Sequence, residues 1–243
     1  MLCCMEQKTG CMICGEELVY FDEVKPAKCY YCGEIFDTNA WCINEHFVCD
    51  TCHGNSANNL IERYCIQTIE TDPIKMAVEL MGSPLIKMHG PEHHFLVPGV
   101  LLAAYANLTS LPKQDLVKQL AQARKRAEVV PGGFCGFMGA CGAAIGTGIF
   151  LRIITRSPPT SKESWGQSNL LTSESLRAIA EHGGPRCCKR DSFLALLTAV
   201  DFVHNLFDID WQVHKPVTCK FSGLNKECLY QDCPFFPKRN LES

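Results

Sequence analysis

The first residues that could do chemistry are Cys11-x2-Cys14, Cys29-x2-Cys32, Cys42-x3-His46 and Cys49-x2-Cys52. A C-x2-C turn aims two sulfurs at one point, and two such pairs complete the tetrahedron that Zn²⁺ prefers. Gly15 and Gly33 directly follow second cysteines, where knuckle turns favour a positive φ. Sequential pairing would join Cys11, Cys14, Cys29 and Cys32 in one site and Cys42, His46, Cys49 and Cys52 in another. Cross-bracing would join the first pair to the third and the second to the fourth, and spacing alone does not choose between them. Four cysteines also bind iron–sulfur, but His46 favours zinc where it takes part. Closed four-ligand sites leave no open position for a reaction, so these residues are expected to be structural.

Seven further thiols follow Cys65, which by itself is explained as a small packed hydrophobe. Cys135 and Cys141 lie in a glycine-rich stretch. Cys187 and Cys188 adjoin Arg186, Lys189 and Arg190, and Cys219, Cys228 and Cys233 occupy a tail containing Pro216, Gly223 and Pro234. Thiols at helix starts beside cations are expected to ionise readily. Cys187 and Cys188 are therefore the candidate catalytic thiols and should alkylate before Cys135, which sits among Phe134, Phe137 and Met138. Two arrangements are open. Four of the seven hold a cluster while the rest stay reactive, or a redox pair accompanies a tail zinc site. His89, Glu92, His93 and His94 add ligands or proton carriers within six residues.

These groups sit in a chain of 243 residues, 47% hydrophobic and 20% charged, with 17 cysteines. An odd cysteine count, repeated C-x2-C pairs and a start without a charged-then-apolar leader predict a reduced, cytoplasmic metalloprotein. A net charge of −3 gives no reason to expect nucleic acid. The basic stretch of Lys113, Lys118, Arg124, Lys125 and Arg126 is interleaved with Leu116 and Leu120, as in a solvated helix face. Residues 129–151 are uncharged and long enough to span a bilayer, but their glycines fit a tight loop feeding a buried helix, so no membrane is expected.

The elements that must hold these residues are mostly helical. Ser56 is read as capping a first helix running to Ile69. Asp72–Pro73 opens a second that Gly82 closes, and Pro98 opens a third running to Leu108. A fourth runs from Ser110–Pro112 to about Val129, and a fifth from after Gly139 to Thr155. A sixth is capped by Thr172 or Ser173 and closed by Gly183–Gly184, and a seventh starts at Asp191 or Ser192. No alternating strand pattern follows residue 55. The fold class is thus mainly α: a small zinc-ribbon-like or cross-braced cysteine module over 1–55, then an all-α helical domain over 56–243 with a cysteine-rich tail.

Two resemblances arise at these residues. Residues 93–155 resemble the redox-active family named for its C-GCAxxG-C-C signature, through Gly132-Gly133 and Cys141-Gly142-Ala143-Ala144-Ile145-Gly146. Val97, Pro98 and Gly99 stand where that family has a further cysteine, with His93 or His94 as the substitute ligand. The whole chain also resembles a cysteine-rich family of anaerobic microbes, often fused to or beside methyltransferases. The marks are Cys42…His46-Phe-Val-Cys49-Asp-Thr-Cys52-His53, His89-Gly-Pro-Glu92-His93-His94 and Gly184-Pro-Arg-Cys187-Cys188-Lys-Arg-Asp191. The resemblance implies a methyltransferase or redox enzyme as protein partner. The expected function is a metal-binding redox or sulfur-handling protein of anaerobic metabolism, with zinc in the first module. Cys135, Cys141, Cys187, Cys188, Cys219, Cys228, Cys233, His93 and His94 are the pool for an iron–sulfur cluster or reactive thiols. The alternative is a non-catalytic zinc-binding adaptor.

Overall fold

The computed structural model describes residues 10–11, 14, 16–30, 33–156 and 158–237, without the side chains of 51–56. Two antiparallel strands, β1 (Leu18–Lys28) and β2 (Ile35–Cys42), form a hairpin. Leu18 pairs with Cys42 at its base and Lys28 with Ile35 near its tip, with a bulge between Tyr20 and Lys25. Most hairpin side chains are exposed, so apolar burial does little to hold it. Its loops instead close on backbone bonds at the cysteines. The Cys11 N–H donates to Glu16 O, and the Cys29 N–H to Glu34 O, each at 2.8 Å. Gly33 takes the expected positive φ of 74°, and Gly15 lies outside the described residues.

Eight helices follow among the described residues, the seven expected and one short turn that the sequence reading did not include. The first, α1 (Asp50–Gln67), starts six residues before Ser56, straight out of the Cys49 knuckle, and runs through the expected module boundary at residue 55. It stops short of Ile69, which is 90% exposed and contributes no packing face. The next, α2 (Pro73–Met81), has the expected ends: the Asp72 carboxylate accepts from the Ile74 and Lys75 N–H groups, and Gly82 follows.

The central helix, α3 (Glu92–Thr109), corrects the sequence reading, because Pro98 lies inside it rather than at its start. Its apolar residues are buried on every side, as in a helix enclosed by others. The helices α1, α2, α4 (Lys113–Ala127), α6 (Gly142–Ile154) and α8 (Cys188–Phe207) all pack on it. The helix α6 comes in closely at Pro98. A β-carbon on Gly146 would stand 2.8 Å from Pro98 Cδ and 3.2 Å from His94 O.

A short turn, α5 (Phe134–Phe137), lies in the glycine-rich loop before α6. The helix α7 (Glu163–Glu181) begins nine residues before the expected cap at Thr172. Thr172 and Ser173 sit inside it, their hydroxyls donating to Ser168 O and Leu170 O. The last helix, α8, has Cys187 as its N-cap, so Asp191 lies in the first turn instead of before it. The tail then wraps back over the bundle, seating Trp211 against Phe150 and Phe235 against Phe193. Among the described residues no helix is long and apolar enough to cross a membrane. The uncharged run 129–151 is the loop, α5 and most of α6.

Candidate metal centres

The hairpin base brings Cys11, Cys14, Cys42 and His46 together, with their ligand atoms all within 4.8 Å of one another. Strand pairing explains the meeting. Cys11 and Cys14 precede β1, Cys42 ends β2 opposite Leu18, and a turn returns His46 so that its N–H donates to Cys42 Sγ at 3.3 Å. The Cys14 and Cys42 sulfurs are 3.8 Å apart, and His46 Nδ1 is 3.4 Å from Cys14 Sγ. A zinc tetrahedron with bonds of about 2.3 Å to sulfur has S–S edges of about 3.8 Å, so the residues fit that ion. The Cys14 thiol is lowered to about 6, first by the Glu16 backbone N–H and then by His46 and Asn44. Such a group readily gives the thiolate that a metal needs.

Among the described residues the group that comes together joins the first pair to the third, as cross-bracing expects. Cys29 and Cys49 complement this arrangement. Both are buried, and the Cys49 N–H donates to Cys29 Sγ at 3.4 Å. Cys32 and the side chain of Cys52 lie outside the described residues.

In the helical part the seven thiols divide into two groups. Cys187, at the start of α8, lines one pocket with Cys219, Cys228 and Cys233 of the tail, walled by Phe193, Phe221 and Phe235. Backbone N–H groups point at three of these sulfurs: Arg190 to Cys187 (3.5 Å), Phe221 to Cys219 (3.3 Å) and Tyr230 to Cys228 (3.4 Å). Donors of this kind stabilise thiolates and are the outer-shell support that metal ligands use.

Cys135, Cys141 and Cys188 face elsewhere. Cys141 is the N-cap of α6, without a side-chain cap hydrogen bond, while Arg186 lies near Cys135 and the Gly90 backbone near Cys188. Cys135 and Cys188, with His94, Arg186 and Tyr20, line a cleft of about 390 Å³ between hairpin and bundle. Asp50 ties the two walls, accepting from the Gly132 N–H at 2.7 Å.

The expectation that cations lower the Cys187 and Cys188 thiols is not met. Burial pushes Cys187 up to about 11 and Cys188 higher still, and raises Cys141 to about 12. Two of the three cations are engaged in the core. Lys189 Nζ donates to Met81 O and Ile86 O, and Arg190 holds Asp191, Gly183 O and Pro185 O. Adjacent in sequence, Cys187 and Cys188 thus belong to different surroundings.

The two histidines also part. His93 is buried, its Nδ1 bonded to Gly90 O at 3.2 Å, and burial holds its pKa down to about 3. Such an imidazole stays neutral. His94 donates from Nδ1 to Val130 O at 2.9 Å, which leaves Nε2 as the acceptor nitrogen, beside Gly142. A β-carbon on Gly142 would fall 2.4 Å from that nitrogen, so glycine is needed for the approach. Of the two, His94 is the one that shares the cleft with Cys135 and Cys188. The buried Arg190–Asp191 pair was not picked out from sequence, since charges in a helix's first turn ordinarily signal a solvated end.

Fold and site together define a mainly helical protein preceded by a small strand pair and a Cys3His group that could hold a metal ion. The chain belongs to the family described as a family of unknown function (DUF5714), whose model matches residues 61–236. No curated protein and no solved structure matches it.

Proposed function

We propose that the chain is a metal-binding redox or sulfur-handling protein of anaerobic metabolism. Its helical part would carry a thiolate centre on Cys187, Cys219, Cys228 and Cys233. What supports the reading is that those four cysteines, from the start of α8 and from the tail, line one pocket. Among the described residues only the ligand atoms of Cys11, Cys14, Cys42 and His46 converge within 4.8 Å. An all-thiolate set suits iron–sulfur ligation, which would supply electron transfer or sulfur chemistry when bound. This chain's own contribution is to orient the sulfurs through the Arg190, Phe221 and Tyr230 N–H groups and to exclude water with Phe193, Phe221 and Phe235. Cys135 and Cys188 would remain as thiols facing the cleft. At the N-terminus, Cys11, Cys14, Cys42 and His46 would hold one zinc, and Cys29, Cys32, Cys49 and Cys52 a second. The two zincs would make residues 1–55 a docking module for a redox enzyme or methyltransferase.

A second reading, a zinc-binding adaptor, keeps the same ligands but gives none of them a reaction. The observation favouring it is that the four-cysteine pocket is narrow, about 20 Å³, room for one ion. Iron and acid-labile sulfide in anaerobically purified protein, with visible absorbance lost in Cys219→Ser, support the redox reading. Zinc in all three places supports the adaptor.

A further inference from the structure

The helices α4, α6 and α7 line a groove of about 920 Å³ that no described cysteine lines, and it is strongly basic. Lys118 and Arg126 come from α4, and Arg152 and Arg156 from α6 and its C-terminal end. The sole carboxylate in the lining, Asp115, is already paired with Lys118 at 3.4 Å. Among the described residues no carboxylate pairs with Arg126, Arg152 or Arg156. Arg152 Nη1 and Gln119 Oε1, both of residues in the lining, are each buried with no hydrogen-bond partner. A buried guanidinium N–H left unbonded costs about 1–3 kcal/mol, so the arrangement calls for an acceptor.

The sequence hides this convergence. The basic stretch on α4 has the character of a solvated face, but Arg124 is mostly covered and reaches across to Glu62 of α1 as well as to Glu128. Arg126 and Lys118 instead turn toward the arginines of a helix that follows the glycine-rich loop. Trp165, half exposed at the start of α7, forms part of the same wall.

We propose that this groove binds a small phosphorylated ligand bearing an aromatic ring, of nucleotide class. Arginine forks hold phosphate oxygens in pairs, and an indole offers a face for stacking. The volume is that of a small-molecule site. A chain with a net charge of −3 would repel an extended nucleic acid outside the groove, so a mononucleotide fits the charge distribution better.

Calorimetric titration of the intact protein at low salt tests this, with ATP, inorganic triphosphate and adenosine as probes. ATP should bind most tightly, triphosphate less so and adenosine least. Arg152→Gln should weaken ATP at least tenfold, and Trp165→Leu should erase its advantage over triphosphate. Lys125→Gln, on the exposed side of α4, should leave binding unchanged. Arg126→Gln carries the same test from an exposed position should Arg152→Gln fail to fold. Absence of binding by both ATP and triphosphate overturns the proposal, as does equal weakening by Lys125→Gln. A short oligonucleotide binding tenfold tighter than ATP would assign the groove to nucleic acid and overturn it too.

Discussion

The sulfur of Cys14 lies 3.8 Å from that of Cys42, twenty-eight residues further along the chain. That approach joins the first ligand pair to the third and makes the small module a single interlocked unit. If it holds a metal, Cys14→Ser and Cys42→Ser should each cost the same one zinc, and the double variant no more than either alone. Cys29→Ser should cost a different zinc. Metal content by mass spectrometry decides, and equivalence of Cys14→Ser with Cys29→Ser would restore sequential pairing.

Thiol reactivity should follow burial rather than local charge. In metal-free folded protein at neutral pH, Cys65 and Cys188, both pushed up by burial, should alkylate slowest. Cys135, which lines the open cleft, should label before Cys188. Time-resolved mass spectrometry reads the order. Early labelling of Cys188 would mean that the start of α8 opens in solution.

Acid should destabilise the bundle through its buried imidazoles. His93 stays neutral when folded, with its pKa held to about 3, and His89 and His94 shift the same way. The unfolded chain takes up their protons below about 6.5, so this stability is complete above that pH and is lost as pH falls toward 3. Between pH 7 and 5, His93 alone accounts for about 2 kcal/mol, at about 1.4 kcal/mol per pKa unit. Urea unfolding at the two pH values should show a shallower dependence in His93→Gln. An unchanged slope would mean that the ring is reached by solvent.

Close packing of α6 on α3 is open to a glycine test. Gly146→Ala should destabilise by about 1–3 kcal/mol, since the new methyl meets Pro98 and the His94 carbonyl. Gly166→Ala, with open space around it in α7, should stabilise by up to about 1 kcal/mol. Thermal melts of the two variants should move in opposite directions.

Much of this organisation is legible in the residues themselves. The Asp72–Pro73 start and Gly82 stop of α2 are local devices, written where they act. So is the C-x2-C spacing. The start of α3 is not, because Pro98 is disfavoured inside a helix and yet lies within this one, enclosed by the surrounding helices. Thr172 and Ser173 resemble caps, yet their hydroxyls are satisfied within α7. The thiol environment was misread for a related reason. Charge beside Cys187 and Cys188 is visible in sequence, but its commitment to Met81, Ile86 and Asp191 depends on tertiary contacts. Which sulfurs share a pocket likewise depends on where the tail returns, and no local pattern records that.

A redox centre on Cys187, Cys219, Cys228 and Cys233 would place iron in the helical part and zinc at the hairpin. Iron, sulfide and zinc measured together in anaerobically purified protein, wild type beside Cys219→Ser, test it most directly. Iron and sulfide should be present in the wild type, and both should be lost in Cys219→Ser while the zinc of the Cys11–His46 site is retained. Zinc without iron in the wild type, or iron unaffected by Cys219→Ser, would contradict it.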